Sequence, residues 1–117
     1  MDAYRQLKAW QHCRALVREV YRATATFPDD ERFGLVSQLR RAAVSAVSNI
    51  AEGQARYGTT EFAHALSIAL GSLAEVSALV DVAAELGYVG TEEAGRLEAL
   101  RSEASRTTFG LQRKLRT

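Results

Sequence analysis

The chain has 117 residues, of which 47% are hydrophobic and 25% are charged, and its net charge at pH 7 is +1. This composition excludes an intrinsically disordered chain, and the near-zero net charge excludes recruitment of nucleic acid by a protein-wide basic field. A chain of this length is expected to form a single domain, residues 1–117, that folds without a disulfide or a metal ion.

The first half of the chain contains two predicted helices that are separated by a proline. The first runs from about Ala3 to Ala25 and the second from about Leu35 to Glu52 or a few residues beyond, because apolar residues recur there at spacings of three and four. Phe27-Pro28 ends the first helix, since the residue before a proline disfavours helical backbone. Cys13, the only cysteine, lies on the apolar side of the first helix and is predicted to be a core residue and not a nucleophile.

The third predicted helix, from about Thr60 to Leu86, is apolar over most of its circumference. It contains no Lys or Arg, and Ile68, Leu79 and Val82 lie well away from its main apolar face. An exposed apolar strip of this size is a liability for a monomer, so we expect it to be covered by self-association. Acidic residues within the segment argue against a membrane-spanning helix.

The helix connections predict the fold. Gly87 is predicted to end the third helix, and the fourth begins near Thr91 and has its last apolar residue at Leu115. Connections of about 4–9 residues between helices of this length favour antiparallel neighbours. We therefore expect an all-α fold, an antiparallel up-down-up-down four-helix bundle. The first residues lack the apolar run of a secretory signal, and together with the single cysteine this predicts a cytoplasmic protein.

Several segments of the chain resemble one family of four-helix bundle proteins. They are LKAWQ at residues 7–11, FP at 27–28 followed by ERFGL at 31–35, QLRRAAVS at 38–45 followed by SNIAEG at 48–53, and EF at 61–62 followed by ALGSL at 69–73. These residues resemble the family named for an open reading frame in the intervening sequences of 23S rRNA. The resemblance implies a left-handed bundle that assembles into a ring-shaped homo-oligomer, with a pentamer favoured, and it implies no enzymatic activity and no cofactor.

The same resemblance extends to a nucleic-acid-linked role. A similar bundle serves as the accessory protein of diversity-generating retroelements, where it binds a reverse transcriptase and nucleic acid. By analogy, the partners implied for this chain are RNA, DNA or a nucleic-acid enzyme.

A polar stripe on the second helix is the most informative local pattern. Ser and Asn lower helix propensity, so their recurrence on one helix face is unusual for a purely solvated surface. The stripe is a solvent face, a hydrogen-bonded network at a helix–helix or subunit contact, or a catalytic site. Its residues and the facing set on the third helix are Gln38, Arg40, Arg41, Ser45, Ser48, Asn49, Glu52 and Arg56, with Glu61, Ser72 and Glu75.

Two expectations follow for this stripe. We predict that Arg40 or Arg41 pairs with Glu52 or Glu75, because a buried carboxylate needs a cationic partner. We also expect Gly71 to permit a close approach of the third helix to its neighbour.

Two basic clusters are candidates for phosphate contact by repeated copies around a ring. They are Arg14, Arg18 and Arg22 on the first helix, and Arg113, Lys114 and Arg116 at the end of the chain. The alternative is an ordinary solvated surface.

Motifs of catalysis are sparse. Glu61 and His64 form a Glu-x-x-His pattern, but di-iron bundles use two such patterns and the chain has one. It has no phosphate-binding Gly-Lys loop, nucleophile elbow or Cys-x-x-Cys pair. We therefore predict a non-catalytic homo-oligomeric scaffold, without metal or cofactor, that binds a nucleic acid or a nucleic-acid-processing partner. The alternatives are a protein-only self-assembling module and, more distantly, a carboxylate-bound metal enzyme.

Overall fold

The structure, a computed structural model, describes residues 3–56 and 58–115, and every regular element in that part of the chain is helical. The α-helices are α1 (Lys8–Thr24), α2 (Leu35–Ala55), α3 (Thr59–Glu85) and α4 (Thr91–Leu115). Two short 3-10 helices, Ala3–Gln6 and Asp29–Glu31, precede α1 and α2. The predicted all-α fold of four helices is confirmed.

The four helices form a square in cross-section. α1 packs against α2 and α4, and α3 also packs against α2 and α4. Within residues 3–56 and 58–115, α1 does not pack directly against α3, nor α2 against α4, so these pairs occupy opposite corners of the square. The bundle measures 43 × 22 × 22 Å, and its long dimension matches a helix of the length of α3 at about 1.5 Å per residue.

One hydrophobic core, to which all four helices contribute, fills the centre of the square. Its largest fully buried side chains include Leu16 of α1, Ile50 of α2, and Leu66 and Leu73 of α3. α4 contributes fewer large side chains, and Leu97 and Ala104 are its buried apolar residues. The predicted burial of Cys13 is confirmed, since its side chain has no exposed surface.

Gly53 sets the closest approach between α2 and α3. A Cβ atom at Gly53 would lie 2.5 Å from the Cβ of Ala65 and 3.1 Å from a ring carbon of Phe62, so no larger residue fits. We expected this role for Gly71, but nothing lies within 4 Å of a Cβ atom built there. That expectation is wrong within the chain, because Gly71 faces outward from the bundle.

The helix ends differ in detail from the predicted ones. α1 begins at Lys8 and not near Ala3, because Leu7 has extended backbone and Ala3–Gln6 form a separate turn. The predicted end of α3 is confirmed. Gly87 has a φ of +81°, and the following Tyr88 N–H donates to the Ala83 carbonyl at 2.9 Å, the hydrogen bond of a Schellman cap.

Candidate functional site

The boundary between α2 and α3 carries a small polar network. Ser72 Oγ donates to Ser45 Oγ at 2.9 Å, which joins the two helices. Asn49 Nδ2 donates to the Ser45 carbonyl at 2.8 Å and lies 3.2 Å from Ser45 Oγ. All three side chains are half-buried. The structure therefore brings together three residues of the predicted polar set, and they link α2 to α3.

Arg40 belongs to a different contact. Its Nε donates to Thr24 Oγ1 at 2.9 Å, and its guanidinium lies 4.3 Å from the centre of the Tyr21 ring. Because both partners are on α1, Arg40 joins α2 to α1 and is turned away from α3. Its predicted pairing with a carboxylate of α2 or α3 is wrong within the chain.

The remaining members of the predicted polar set make no side-chain hydrogen bond or ion pair with the rest of the described residues. They are Gln38, Arg41, Ser48, Glu52, Arg56, Glu61 and Glu75. Ser48 is half-buried and the other six are exposed. No ion pair joins Arg41 to Glu52 or Glu75, so this surface has charges that residues 3–56 and 58–115 do not neutralise.

An open groove of about 400 Å³ lies where the end of α2 meets the start of α3. It is lined by Asn49, Glu52, Arg56, Thr60, Glu61, His64, Ala65 and Ile68. The Glu-x-x-His pattern is therefore at a surface that mixes both charges. In the part of the chain that the structure describes, no group of three or more His, Cys, Asp or Glu residues could hold a metal ion.

The outward side of α3 is unusual for a solvated surface. α3 is long and apolar enough to cross a membrane by length and composition, as some core helices of soluble proteins are, with a mean hydropathy of 1.6 over its most apolar window. Only 33% of that window is buried in the bundle. We define the outer face of α3 as Ser67, Ile68, Gly71, Ala74, Glu75, Ala78 and Val82, which form the middle of an exposed side that also carries His64, Asp81 and Glu85.

Large apolar side chains on and next to this face contact solvent. Ile68 is 43% exposed and Val82 is 45% exposed, and Leu86, just past the helix end, is 52% exposed. Leu79, which we expected on the same strip, is half-buried and packs against the core. The exposed apolar strip is therefore narrower than predicted, and Leu79 marks its edge.

The arginine ridge of α1 is exposed, but two of its three members have partners. The Arg14 guanidinium lies 4.9 Å from the Trp10 ring centre, and Arg22 lies 3.4 Å from Glu19 Oε1. Arg18 points to solvent without a side-chain partner among the described residues. Arg18 is thus the ridge residue that is most available to an external anion.

The second basic cluster lies at the end of α4. Arg113 is exposed and lies 6.0 Å from the Phe109 ring centre. Lys114 lines a second groove of about 400 Å³ together with Lys8 from the start of α1. Arg116, predicted as a third phosphate contact, lies outside the described residues.

Two polar groups in the core were not found by sequence reasoning. Gln112 is buried, and its Nε2 donates to the Ala63 carbonyl at 2.9 Å and to Ser67 Oγ at 2.7 Å. Thr108 is fully buried beside Cys13. Both lie four residues apart on the inward face of α4, so helical periodicity was the available signal.

The Cys13 environment rules out a role as a nucleophile at neutral pH. Burial raises the pKa of the thiol to about 11, and the neighbouring Thr108 side chain opposes this only in part. The thiolate is the reactive form of cysteine, so a protonated and fully buried thiol is chemically inert.

Glu31 organises one end of the bundle. Its Oε1 accepts a hydrogen bond from the Leu35 N–H at 3.2 Å, at the start of α2, and its Oε2 accepts one from the Tyr88 hydroxyl at 3.0 Å. The hydrogen bond to Glu31 raises the pKa of Tyr88, because the neutral hydroxyl is the donor. The Phe27 ring packs beside Tyr88, with ring centres 5.5 Å apart. This contact joins the α1–α2 connection to the α3–α4 turn.

Comparison with known proteins gives a family for most of the chain. The model of the 23S rRNA-intervening sequence protein family matches residues 5–110, a span that contains α1, α2, α3 and most of α4. No curated protein matches the chain.

Proposed function

Because the chain belongs to the 23S rRNA-intervening sequence protein family, we propose that it is a non-catalytic scaffold that assembles into a ring of identical subunits, with a pentamer favoured. The ring binds a nucleic acid or a nucleic-acid-processing partner in the cytoplasm and does not cross a membrane. The bundle of each subunit is antiparallel, up-down-up-down and left-handed. The pairing of Ser45 with Ser72, and of Gly53 with Ala65 further along, supports opposite directions for α2 and α3.

The outer face of α3 is the observation that carries the proposal. A solvated helix face normally holds Lys and Glu, whereas residues 59–86 contain no Lys or Arg, and Ala and Gly occupy the centre of this face. Exposed apolar strips that lie beside polar residues mark contact surfaces between proteins. Covering this face with a second copy removes Ile68 and Val82 from water, which favours association.

The basic residues of α1 and α4 support a contact with phosphate groups. Arg18 and Arg113 are exposed on helices that do not carry the apolar strip. Each subunit offers few such contacts, but a ring repeats them. Once one subunit has bound, the others are held at a high effective concentration near the same nucleic acid, and this raises the overall affinity. Arg14, Arg22 and Lys114 extend the two clusters, so the phosphate-binding surface is proposed to lie on the α1 and α4 side of the ring.

Assembly is tested by a bulky charge on the outer face of α3. Ala78→Arg introduces a cation into the proposed contact, and Ala99→Arg places the same side chain on the exposed side of α4. We expect light scattering to give a multiple of 12.8 kDa for the wild type and for Ala99→Arg, and a lower mass for Ala78→Arg with unchanged helix content. A wild-type mass of 12.8 kDa, or an unchanged mass for Ala78→Arg, contradicts the proposed contact.

Nucleic-acid binding is tested with a structured RNA and a DNA duplex at low salt. We expect at least one of them to bind the assembled wild type, with an affinity that falls steeply as salt is added. Arg18→Glu should weaken that binding while the assembly keeps its mass. An assembled protein that binds neither nucleic acid instead supports a protein-only module, which the engagement of Arg14 by Trp10 and of Arg22 by Glu19 already favours as the second candidate.

A further inference from the structure

The charge on the outer face of α3 determines what kind of surface can cover it. Glu75 lies among Gly71, Ala74 and Ala78, and no Lys or Arg exists anywhere in α3. Two copies of this face packed on each other would each bury a carboxylate without a cation. Unpaired charges at a contact oppose association strongly. The covering surface must therefore differ from the outer face of α3, and it must supply a positive charge.

The outward side of α2 has the required properties. We define the outer face of α2 as Ser37, Arg41, Val44, Ser48 and Ala55, which recur at helical spacings on the side opposite the core. Val44 is 37% exposed, and the other uncharged members are small. Arg41 is exposed and has no side-chain partner among the described residues. This face therefore offers the unpaired cation of Arg41 among small and apolar side chains, with the exposed carboxylate of Glu52 beside it. The exposed side of α3 is acidic, since it carries Glu75 and, further along, Asp81 and Glu85.

The positions of α2 and α3 in the square fit a small closed ring. Since they occupy adjacent corners, their outward directions differ by about 90°. In a closed ring, the two contact faces of one subunit point about 90° apart for four copies and about 108° apart for five. Faces on opposite corners, such as those of α1 and α3, would point about 180° apart and give an open filament.

We propose that the outer face of α2 in one subunit packs against the outer face of α3 in the next subunit, with Arg41 paired to Glu75 across the contact. This inference rests on the proposed assembly and names the two surfaces that form it. The contact is head-to-tail, so it repeats around a ring, and it leaves the basic residues of α1 and α4 uncovered. In this contact the predicted pair of Arg41 and Glu75 forms between two subunits and not within one chain.

Charge reversal tests the pairing. Arg41→Glu and Glu75→Arg each place like charges in contact, and the double variant restores an opposite pair in the reverse order. Arg18→Glu on α1 and Glu92→Arg on α4 are matched controls, because both side chains are exposed and lack described partners. We expect each single variant to raise the protein concentration needed for assembly by roughly a hundredfold. The double variant and both controls should assemble as the wild type does.

Sedimentation at matched concentrations, with circular dichroism to verify folding, separates the outcomes. A wild type that stays at 12.8 kDa overturns the proposed assembly itself. If the wild type assembles and both single variants keep its mass, the assembly stands and the α2–α3 contact is overturned. Single variants that dissociate without recovery in the double variant overturn the pairing of Arg41 with Glu75.

Discussion

The α1–α4 side and the α2–α3 side of the bundle differ in whether their charged side chains form ion pairs. Between α1 and α4, Arg96 binds Glu19 at 2.9 Å and His12 lies 3.8 Å from Glu103, and Arg96 also binds Glu93 of its own helix at 2.7 Å. On the outward surface of α2 and α3, by contrast, the chain leaves Arg41, Glu52, Glu61 and Glu75 without ion pairs among the described residues and exposes apolar side chains beside them. The same four-helix core thus has one side on which several charges pair across or along the helices, and one side on which these four charges do not.

This difference bears on where the proposed subunit contact lies, and not on where the stability of the bundle arises. Exposed ion pairs contribute little to stability, so the paired charges between α1 and α4 do not explain why the bundle folds. Both sides are held by the shared core and by close helix packing. The contrast concerns the surface, where the α2–α3 side has the unpaired charge and apolar area of a contact region.

The largest expected effect tests the interior of the α2–α3 side. Gly53→Val places atoms within the space of Ala65 and Phe62, and we expect a loss of about 3 kcal/mol in the free energy of unfolding, measured with urea. Gly95→Ala is the control, because nothing lies within 4 Å of a Cβ atom there, and it should gain about 1 kcal/mol from helix propensity. Equal stability of Gly53→Val and the wild type would show that the helices are less tightly packed than described.

An intermediate effect is expected where the two sides meet at one end of the bundle. Glu31→Ala removes the carboxylate that accepts the Leu35 N–H, and we expect it to cost about 1 kcal/mol through loss of the α2 cap. Asp30→Ala is the control, since the Asp30 side chain makes no hydrogen bond or ion pair in the described chain. If both variants lose the same stability in thermal unfolding, the capping role of Glu31 is wrong.

The same contact gives a pH dependence with a definite sign. Hydrogen bonding to Glu31 raises the pKa of Tyr88. The stabilisation of the fold by this hydrogen bond is therefore fully present below the ordinary tyrosine pKa of about 10, and it is lost as the pH rises through the raised pKa. We expect Tyr88→Phe to be less stable than the wild type at neutral pH, and the difference to shrink in alkaline solution. A difference that is constant up to high pH would exclude this hydrogen bond as its source.

The smallest expected effect concerns the paired α1–α4 surface. Arg96→Ala removes both carboxylate contacts of an exposed side chain, and we expect no resolvable change in thermal stability at physiological salt. Its assembly should also be that of the wild type. A reduced oligomer mass for Arg96→Ala would place a subunit contact on the α1–α4 side, which contradicts the proposed contact on the α2–α3 side.

Helical periodicity predicted much of the fold from sequence. It located the four helices, the burial of Cys13 and the end of α3 at Gly87, because these depend on local patterns. It did not locate the start of α1, where the Tyr4 ring packs against Trp10 at 5.1 Å and the chain turns at Leu7. That contact depends on the conformation of the turn, which the spacing of apolar residues does not predict.

The candidate site was predictable in part. The polar stripe pointed to Ser45 and Asn49, and Ser72 was one of three polar residues, with Glu61 and Glu75, that were predicted on the facing helix. The partner of Arg40 was not predictable, since the choice between Tyr21 on α1 and a carboxylate on α3 depends on which neighbour the helix face turns toward. Gln112 was missed because a polar side chain on an inward position resembles a surface residue until its partners are known.

Sedimentation equilibrium of the wild-type protein over a dilution series tests most directly whether the outer face of α3 is covered in solution. We expect a folded particle of four to five times 12.8 kDa that dissociates only when dilute. A stable, fully helical 12.8 kDa particle at every concentration would show that a single chain leaves this face in water.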